Sequence, residues 1–405
     1  MAIFRVRRLY PYGCLAIAAT LVALCPAQPR PATNTPFTTT VIPVGGDPDA
    51  IAVADLNHDG FPDIVLANAQ SGTITVLLGD GKGKFQKAPG SPFAAGHLPS
   101  DIGIGDFNND GHPDLVIANH EAPYVTLLLG DGKGSFHPAP HSPFTVDAKP
   151  HPHGVAVGSF CGPDQPLDAV IDSWATSEVE LLSGDGTGNL RNGAKFPAGP
   201  GSDLPLRAAD FNRDGKLDLV MPDTDIGHWN TNRVSVLLGD GKCGFQPAPG
   251  SPFPAGAVPW SVAVVDLNND GVLDLVLVPY AAQVRNPGDV AATVLLGDGR
   301  GGFHPMSGSP FALPGCPNPR RVAGGSVFGN KLHGFAVTCM NSSSILLFAG
   351  QNDGTLHASS IDVPAGPAAT AAERNILFAD LYGRGRDDII VSNGSAGTIT
   401  ILSSK

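Results

Sequence analysis

The chain has 405 residues, with Gly 51 and Pro 38 and only 15 % Asp, Glu, Lys and Arg. That length holds one large core or two to three ordinary domains, and the composition points away from long helices towards many short strands joined by turns. A formal net charge of −12 argues against a nucleic-acid partner, because phosphate binding needs a basic face.

In chain order the first feature is not part of the fold. Arg5, Arg7 and Arg8 precede the apolar stretch CLAIAATLVAL (14–24), and a small residue follows at Ala27. This pattern predicts a cleaved secretory signal over 1–27. The Pro-rich segment 28–36 is a linker, and residues 37–405 form the folded body. A membrane-spanning helix needs roughly 20 apolar residues, and no later segment supplies them. The predicted location is therefore secreted, extracellular or periplasmic, with no membrane span in the mature chain.

From residue 55 onward the sequence repeats. DLNHDGFPDIVLAN at 55 recurs as DFNNDGHPDLVIAN at 106, DFNRDGKLDLVMPD at 210 and DLNNDGVLDLVLVP at 266. Eroded copies begin at 159, 326 and 380. A second element keeps pace: LLGDGKGKF (77–85), LLGDGKGSF (128–136), LLSGDGTGNL (181–190), LLGDGKCGF (237–245) and LLGDGRGGF (295–303). Asp-Gly between two strand-like runs is a hairpin turn, since Gly tolerates positive φ. No helix follows these glycines, as a phosphate-binding loop would require.

Each unit parses into four strands. In the first unit A is 50–54, B is 64–67, C is 74–78 and D lies around 91–95. Seven units of about fifty residues predict an all-β fold, a seven-bladed β-propeller. The last unit stops after strand C at TITILSSK (398–405), while PFTTTVIPV (36–44) resembles the missing D strand. The N-terminal strand is therefore expected to complete the last blade and close the ring.

The spacing D-x-N-x-D-G-x-x-D places oxygens at positions 1, 3, 5 and 9 around a glycine at 6. Hard cations such as Ca²⁺ take six to eight oxygen ligands, often including a backbone carbonyl. In the first copy the donors are Asp55, Asn57, Asp59 and Asp63, with the carbonyl of Phe61 as a fifth. The competing reading is an Asx-rich hairpin without metal, but three carboxylates on one turn repel without a counter-ion. Catalysis by these acids fits poorly with near-identical loops repeated around a ring.

These residues resemble the FG-GAP/VCBS repeat family, the propeller type of integrin α subunits and many secreted bacterial proteins. The resemblance covers essentially all of 37–405. It implies Ca²⁺ in the A–B loops, at about four sites. Beside the first loop these are Asp106, Asn108, Asp110 and Asp114 in the second unit, Asp210, Asn212, Asp214 and Asp218 in the fourth, and Asp266, Asn268, Asp270 and Asp274 in the fifth. Three units depart from the pattern. The unit at 159 keeps Asp164 and Asp168 but lacks its first acid, and the unit at 326 has none. The unit at 380 carries Arg384 at position 5, where Asp380 and Asp388 are expected to pair with it.

A ligand would then bind the opposite face, formed by the D–A and B–C loops. Trp174 and Trp229 fall in B–C loops and Trp260 just before a strand A. Counting six residues back from each repeat start gives a ring around the central mouth that includes Asp49, Ser100, His153, Leu204, Trp260, Arg320 and Arg374, with Asp101 and Arg321 beside it. Variable loops on a repeated scaffold suit binding, and aromatics with Arg are frequent interface anchors. His120, His137, His141, His151 and His153 read as solvent-exposed loop residues. Asp49 with Asp101 is the one nameable acid pair for a glycosidase-type mechanism.

The sequence reading is thus a calcium-stabilised, non-catalytic binding or adhesion module for a protein or carbohydrate ligand. The alternative is a carbohydrate-binding protein or polysaccharide-cleaving enzyme using the same face. Four cysteines remain after the signal, Cys161, Cys243, Cys316 and Cys339; they allow three pairings, of which Cys316 with Cys339 is preferred.

Overall fold

The computed structural model describes residues 36–147, 152–173, 177–198, 205–224, 229–326, 328–329, 333–351, 355–364 and 375–405. Its strands form seven antiparallel sheets, each with the order A-B-C-D from the inside outward. In blade 1 these are Pro48–Ala54, Asp63–Asn68, Thr73–Gly79 and an outer strand starting at Phe85. The inner strands of successive blades touch one another around the axis and back to the first.

The B strands explain why their apolar runs are unbroken. All six residues of Asp63–Asn68 are buried, as are those of Asp114–Asn119 and Asp274–Pro279. Alternate side chains point to opposite faces of a strand, and here both faces meet another blade. Ile64 and Leu66 pack with Ile390 and Ile401 of blade 7, while Val65 and Ala67 pack with Ile102, Ile117 and Phe136 of blade 2. The core is therefore divided into interfaces between blades. Position 2 of the aspartate loops adds an anchor to these interfaces: Leu56, Phe107 and Phe211 are each almost fully buried.

The ring closes as expected. Phe37–Pro43 pairs antiparallel with Thr398–Ser404, in register from Phe37↔Ser404 to Pro43↔Thr398. Blade 7 is thus built from both ends of the described chain.

The outer strand differs from its expected position. In blade 1 it begins at Phe85–Lys87 and resumes at Phe93–Ala94, both pieces pairing with strand C. The predicted 91–95 captures only the second piece. The interruption is the segment APGSPF (88–93), whose prolines lack an N–H. The ladder is kept across the gap by Ser91, whose Oγ accepts the Val76 N–H at 3.0 Å. Ser142, Ser251 and Ser309 do the same for Leu127, Val236 and Val294, each at 2.9 Å. Blades 3 and 6 lack this motif and have continuous outer strands, Leu190–Pro197 and Leu356–Asp362.

Two disulfides are present. Cys316–Cys339 is the preferred pairing, and Cys161–Cys243 ties the A–B loop of blade 3 to the C–D turn of blade 4. Among the described residues no helix is long and apolar enough to cross a membrane.

Candidate functional sites: the aspartate loops and the opposite face

Each complete aspartate loop starts where strand A ends and is shaped by its own Asx side chains. In blade 1, Asp55 Oδ1 accepts the Asp59 N–H at 3.2 Å and Oδ2 the Gly60 N–H at 2.9 Å. Asn57 Oδ1 accepts the Asp59 N–H at 3.1 Å, and Asp59 Oδ1 accepts the Phe61 N–H at 2.9 Å. The turn needs left-handed backbone at His58 (φ 58°) and Gly60 (φ 85°).

The other complete loops repeat these bonds. In blade 2, Asp106 accepts the N–H groups of Asp110 and Gly111, Asn108 Oδ1 accepts the Asp110 N–H at 3.1 Å, and Asp110 Oδ1 accepts the His112 N–H at 2.8 Å. In blade 4, Asp210 accepts from Asp214 and Gly215, and Asn212 Oδ1 accepts the Asp214 N–H at 3.0 Å. There Lys216 Nζ also sits 3.2 Å from Asp214 Oδ2. In blade 5, Asp266 accepts from Asp270 and Gly271, Asn268 Oδ1 accepts the Asp270 N–H at 3.1 Å, and Asp270 Oδ1 accepts the Val272 N–H at 2.7 Å.

The position-9 acid has a second duty that the spacing alone did not reveal. Asp63 is fully buried; its Oδ2 accepts the Leu56 N–H and its Oδ1 the Gly79 N–H, both at 2.8 Å. It clips the A–B loop to the end of strand C. Asp114, Asp218 and Asp274 make the same pair of bonds. So does Asp168, to Cys161 and Gly184, in a blade whose loop has Ser159 at position 1 and is one residue longer, so that Asp168 takes the place of the position-9 acid. Burial pushes the Asp63, Asp114, Asp218 and Asp274 carboxyls up to about 6, against the lowering effect of these amides and helped by the two neighbouring loop carboxylates.

The first glycine of the LLGDG element belongs to this clip. A Cβ on Gly79 would lie 2.4 Å from the Pro62 carbonyl oxygen, and one on Gly239 2.2 Å from that of Leu217. Close approach, not turn geometry, selects glycine there. The following Asp-Gly is the expected turn: Asp80 Oδ1 accepts the N–H groups of Lys82 and Lys84, and Gly81 has φ 63°.

The donor set of each complete loop is three carboxylates, an amide oxygen and a backbone carbonyl, all hard oxygens that suit a cation such as Ca²⁺. Among the described residues no three acidic, histidine or cysteine side chains form a preformed metal cluster. Instead the oxygens at positions 3 and 5 are turned onto the loop itself: those of Asn57, Asn108, Asn212 and Asn268, and of Asp59, Asp110, Asp214 and Asp270, accept backbone N–H groups. The Asn57, Asn108 and Asn268 side-chain amides also donate to Asp59, Asp110 and Asp270, at 2.9, 2.9 and 2.8 Å. The physical reason is the tight turn, which aims successive N–H dipoles inward and offers the carboxylates partial positive charge from the chain.

In blade 7 the expected pairing is met in half. Arg384 bridges to Asp388, but Asp380 accepts the backbone N–H groups of Arg384 and Gly385. In blade 6, Gly334 stands at position 9, and Asp387 of the next blade caps Ser326 at 2.7 Å.

On the opposite face the structure gathers residues from three blades. The Trp260 ring stacks on Tyr280 with centroids 4.8 Å apart, and Trp229 lies against Tyr280 at 5.4 Å. The Arg320 guanidinium lies over Trp260 at 4.6 Å. Trp260 is only 9 % exposed, and its indole nitrogen has no hydrogen-bond partner among the described residues. Tyr280, in the B–C loop of blade 5, packs against both tryptophans and is the centre of the cluster. Trp174, Leu204 and Arg374 lie outside the described residues.

Two expectations for this face are corrected, and Asp101 gains a partner. His153 is buried, not a solvent-exposed loop residue, and its ring lies 4.4 Å from that of His120. Asp101, named with Asp49 as an acid pair, meets a cation: its Oδ2 lies 3.4 Å from Arg207 Nη1 and accepts the Val155 N–H at 3.2 Å. The axial cavity is lined by Ser100 of the counted ring and by residues one place beyond it, Asp101, Ser261, Arg321 and Asn375, but not by His153 or Trp260. A register shift near the start of strand A, between Pro259 and Ser261 and again between Pro319 and Val322, displaces the count.

An FG-GAP-like repeat model matches residues 55–117, 106–160 and 223–277. No curated protein is significantly similar in sequence. In three dimensions the chain is similar to BBS1N, solved in complex with ARL6DN (TM-score 0.57, 13 % identity, covering 91 % of this chain and 97 % of that one). It is also similar to Kuenenia stuttgartiensis hydrazine synthase (TM-score 0.58, 12 % identity, 88 % and 95 % covered). A protein from Lactobacillus plantarum matches at TM-score 0.53 with 15 % identity over 79 % and 86 % of the two chains. At such identities the likeness is one of fold.

Proposed function

Because the chain is an FG-GAP-repeat β-propeller, we propose that it is a calcium-stabilised, secreted binding module, without catalysis, that engages a partner through the face opposite its aspartate loops. The observation that carries this reading is the segregation of the molecule's polar chemistry. Repeated acidic loops occupy one edge of the blades, and the non-repeating cluster of Trp229, Tyr280, Trp260 and Arg320 occupies the other. Repetition suits a structural role and variation suits recognition.

In the loops, Asp55, Asn57, Asp59 and Asp63 would hold Ca²⁺, with the carbonyl of Phe61, and so would their counterparts in blades 2, 4 and 5. To do so, Asn108 and Asp110, Asn212 and Asp214, and Asn268 and Asp270 would each turn an oxygen from the loop amides to the ion. A bound cation supplies the positive charge that lets three carboxylates share one turn. The chain's own part is to fix the loop, through the Asx hydrogen bonds and the position-9 clip. Secretion is supported by the Arg-flanked apolar N-terminus and by two disulfides, which belong to oxidising compartments.

Recognition rests on a cluster already packed against itself. Arg320 covers one face of Trp260, so a sugar ring has less aromatic face to stack on than at an open tryptophan. This favours a protein partner over carbohydrate. Two experiments test the reading. EGTA should lower the melting temperature and Ca²⁺ restore it; an unchanged melt removes calcium from the account. A glycan array beside a pull-down from envelope extract separates the two partner classes. Trp260→Ala with Arg320→Ala should abolish capture while leaving the calcium effect intact.

A further inference from the structure

The inner strands of blades 2, 4, 5, 6 and 7 enclose a cavity of ≈ 180 Å³ on the propeller axis. Its polar lining is Asp101, Arg207, Ser261, Arg321 and Asn375, and its apolar lining includes Val264, Ile376 and Phe378. None of these belongs to an aspartate loop or to the aromatic cluster.

Among the described residues, the charges that line this cavity do not balance. Arg207 is answered by Asp101 at 3.4 Å. Arg321 is only 8 % exposed, yet among the described residues its guanidinium has neither a carboxylate nor a carbonyl partner. Its hydrogen bonds there are made by its backbone: its N–H donates to Thr338 Oγ1 at 3.1 Å and its C=O accepts from that hydroxyl at 3.5 Å. A buried cation without a partner is costly, and a guanidinium has five donors to satisfy.

Neighbouring groups are arranged for a guest and not for Arg321. Ser261 Oγ accepts the Val322 N–H at 3.2 Å, which leaves the hydroxyl proton to donate. Asn375 Oδ1 accepts the Ile376 N–H at 2.8 Å, and its side-chain NH₂ has no partner among the described residues. The cavity therefore presents a guanidinium fork and further donors, beside apolar walls.

We propose that this axial cavity binds a small monocarboxylate with an apolar body, held by Arg321. The planar fork of an arginine matches a carboxylate in two parallel hydrogen bonds. A single unanswered positive charge matches one negative charge; a phosphate dianion would bring an excess charge into a site that also contains Asp101. The apolar walls from blades 5 and 7 suit an aliphatic or aromatic remainder.

The test uses the full chain in a non-carboxylate buffer at constant ionic strength, by calorimetric titration and thermal melts. The probes are propionate, benzoate, the neutral amide propionamide and inorganic phosphate. At least one carboxylate should bind saturably and raise the melting temperature, with propionamide inert and phosphate weaker. Arg321→Gln should weaken the carboxylate by about ten- to hundredfold, the worth of a charged hydrogen-bond pair, while the ligand-free variant melts no lower than wild type. Ala263→Leu narrows the cavity without touching its charges and should weaken benzoate more than propionate. The proposal is overturned if neither carboxylate binds, if phosphate binds as well as they do, or if binding survives both variants.

Discussion

Replacing Asp168 by Ala isolates the clip from any metal, because its loop has Ser159 where the complete loops have their first acid. Asp168 is 2 % exposed and accepts two backbone N–H groups, from Cys161 and Gly184, each at 3.2 Å. Leaving a buried donor unsatisfied costs about 1–3 kcal/mol. Two of them, less the relief of a carboxylate whose pKa burial has raised, give a net loss of about 2–4 kcal/mol. At about 2.1 cal/mol/K of unfolding entropy per residue, a ring of this length shifts by roughly 1.3 °C per kcal/mol. The expected fall in melting temperature is therefore about 3–5 °C. Calorimetric scans in Ca²⁺ and in EGTA should give the same fall, and Asp168→Asn, which keeps one acceptor, a smaller one. The matched variant Asp114→Ala removes the same clip from a complete loop and should lose more in Ca²⁺ than in EGTA. A fall under about 1 °C for Asp168→Ala, or one seen only in Ca²⁺, would refute the structural role of position 9.

Gly239→Ala places a Cβ 2.2 Å from the Leu217 carbonyl oxygen; it should cost about 2 kcal/mol or more in a denaturant titration, unlike alanine at Gly288, whose Cβ meets nothing within 4 Å. Burial raises the Asp223 carboxyl to about 6 from 3.8, against the Ser235 hydroxyl and the Arg233 charge. Its folded pKa lies above its unfolded one, so its contribution is fully present below 3.8 and is lost as pH rises through 6. Asp223→Asn should therefore gain on wild type by up to about 3 kcal/mol at pH 8, with the gap closing at pH 4, as read from melts across that range. Removing Cys161–Cys243, which spans 82 residues, should cost about 4–5 kcal/mol by loop entropy, against about 3 for Cys316–Cys339 spanning 23; paired Ser variants compared by denaturant titration check the order.

Much of the ring was legible because its strands obey local rules. B strands such as Asp63–Asn68 are apolar on both faces, so their period-free runs mark them in every unit. The closing strand at Phe37–Pro43 was legible because its partner blade lacked one. The split outer strand was less so: APGSPF reads as a turn, and only the pairing of Phe85 and Phe93 with opposite ends of one strand shows that it interrupts a ladder. Spacing marked Asn108, Asp110, Asn268 and Asp270 as oxygen donors, but it could not show that their oxygens already serve backbone amides two residues away. Asp63 was recognised as an oxygen donor but not as a clip, since its partner Gly79 lies sixteen residues away across a strand. A recurring LLG before each Asp-Gly was the available signal. Of the axial charges, Asp101 and Arg321 stand beside the counted ring, whereas Arg207, three places beyond Leu204, is not marked by the count.

Closure of blade 7 also sets how the ring can open. Thr38 and Ser403, bonded across the seam, are 365 residues apart, and bringing such ends together costs on the order of 5 kcal/mol of chain entropy. That cost is met once, by a seam of seven paired residues and the apolar interface between blades 7 and 1. If the seam parts, the circle becomes an arc with two bare ends, and the exposed strand edge is a template for another chain. The seam is therefore the one joint whose parting turns the closed ring into an open arc.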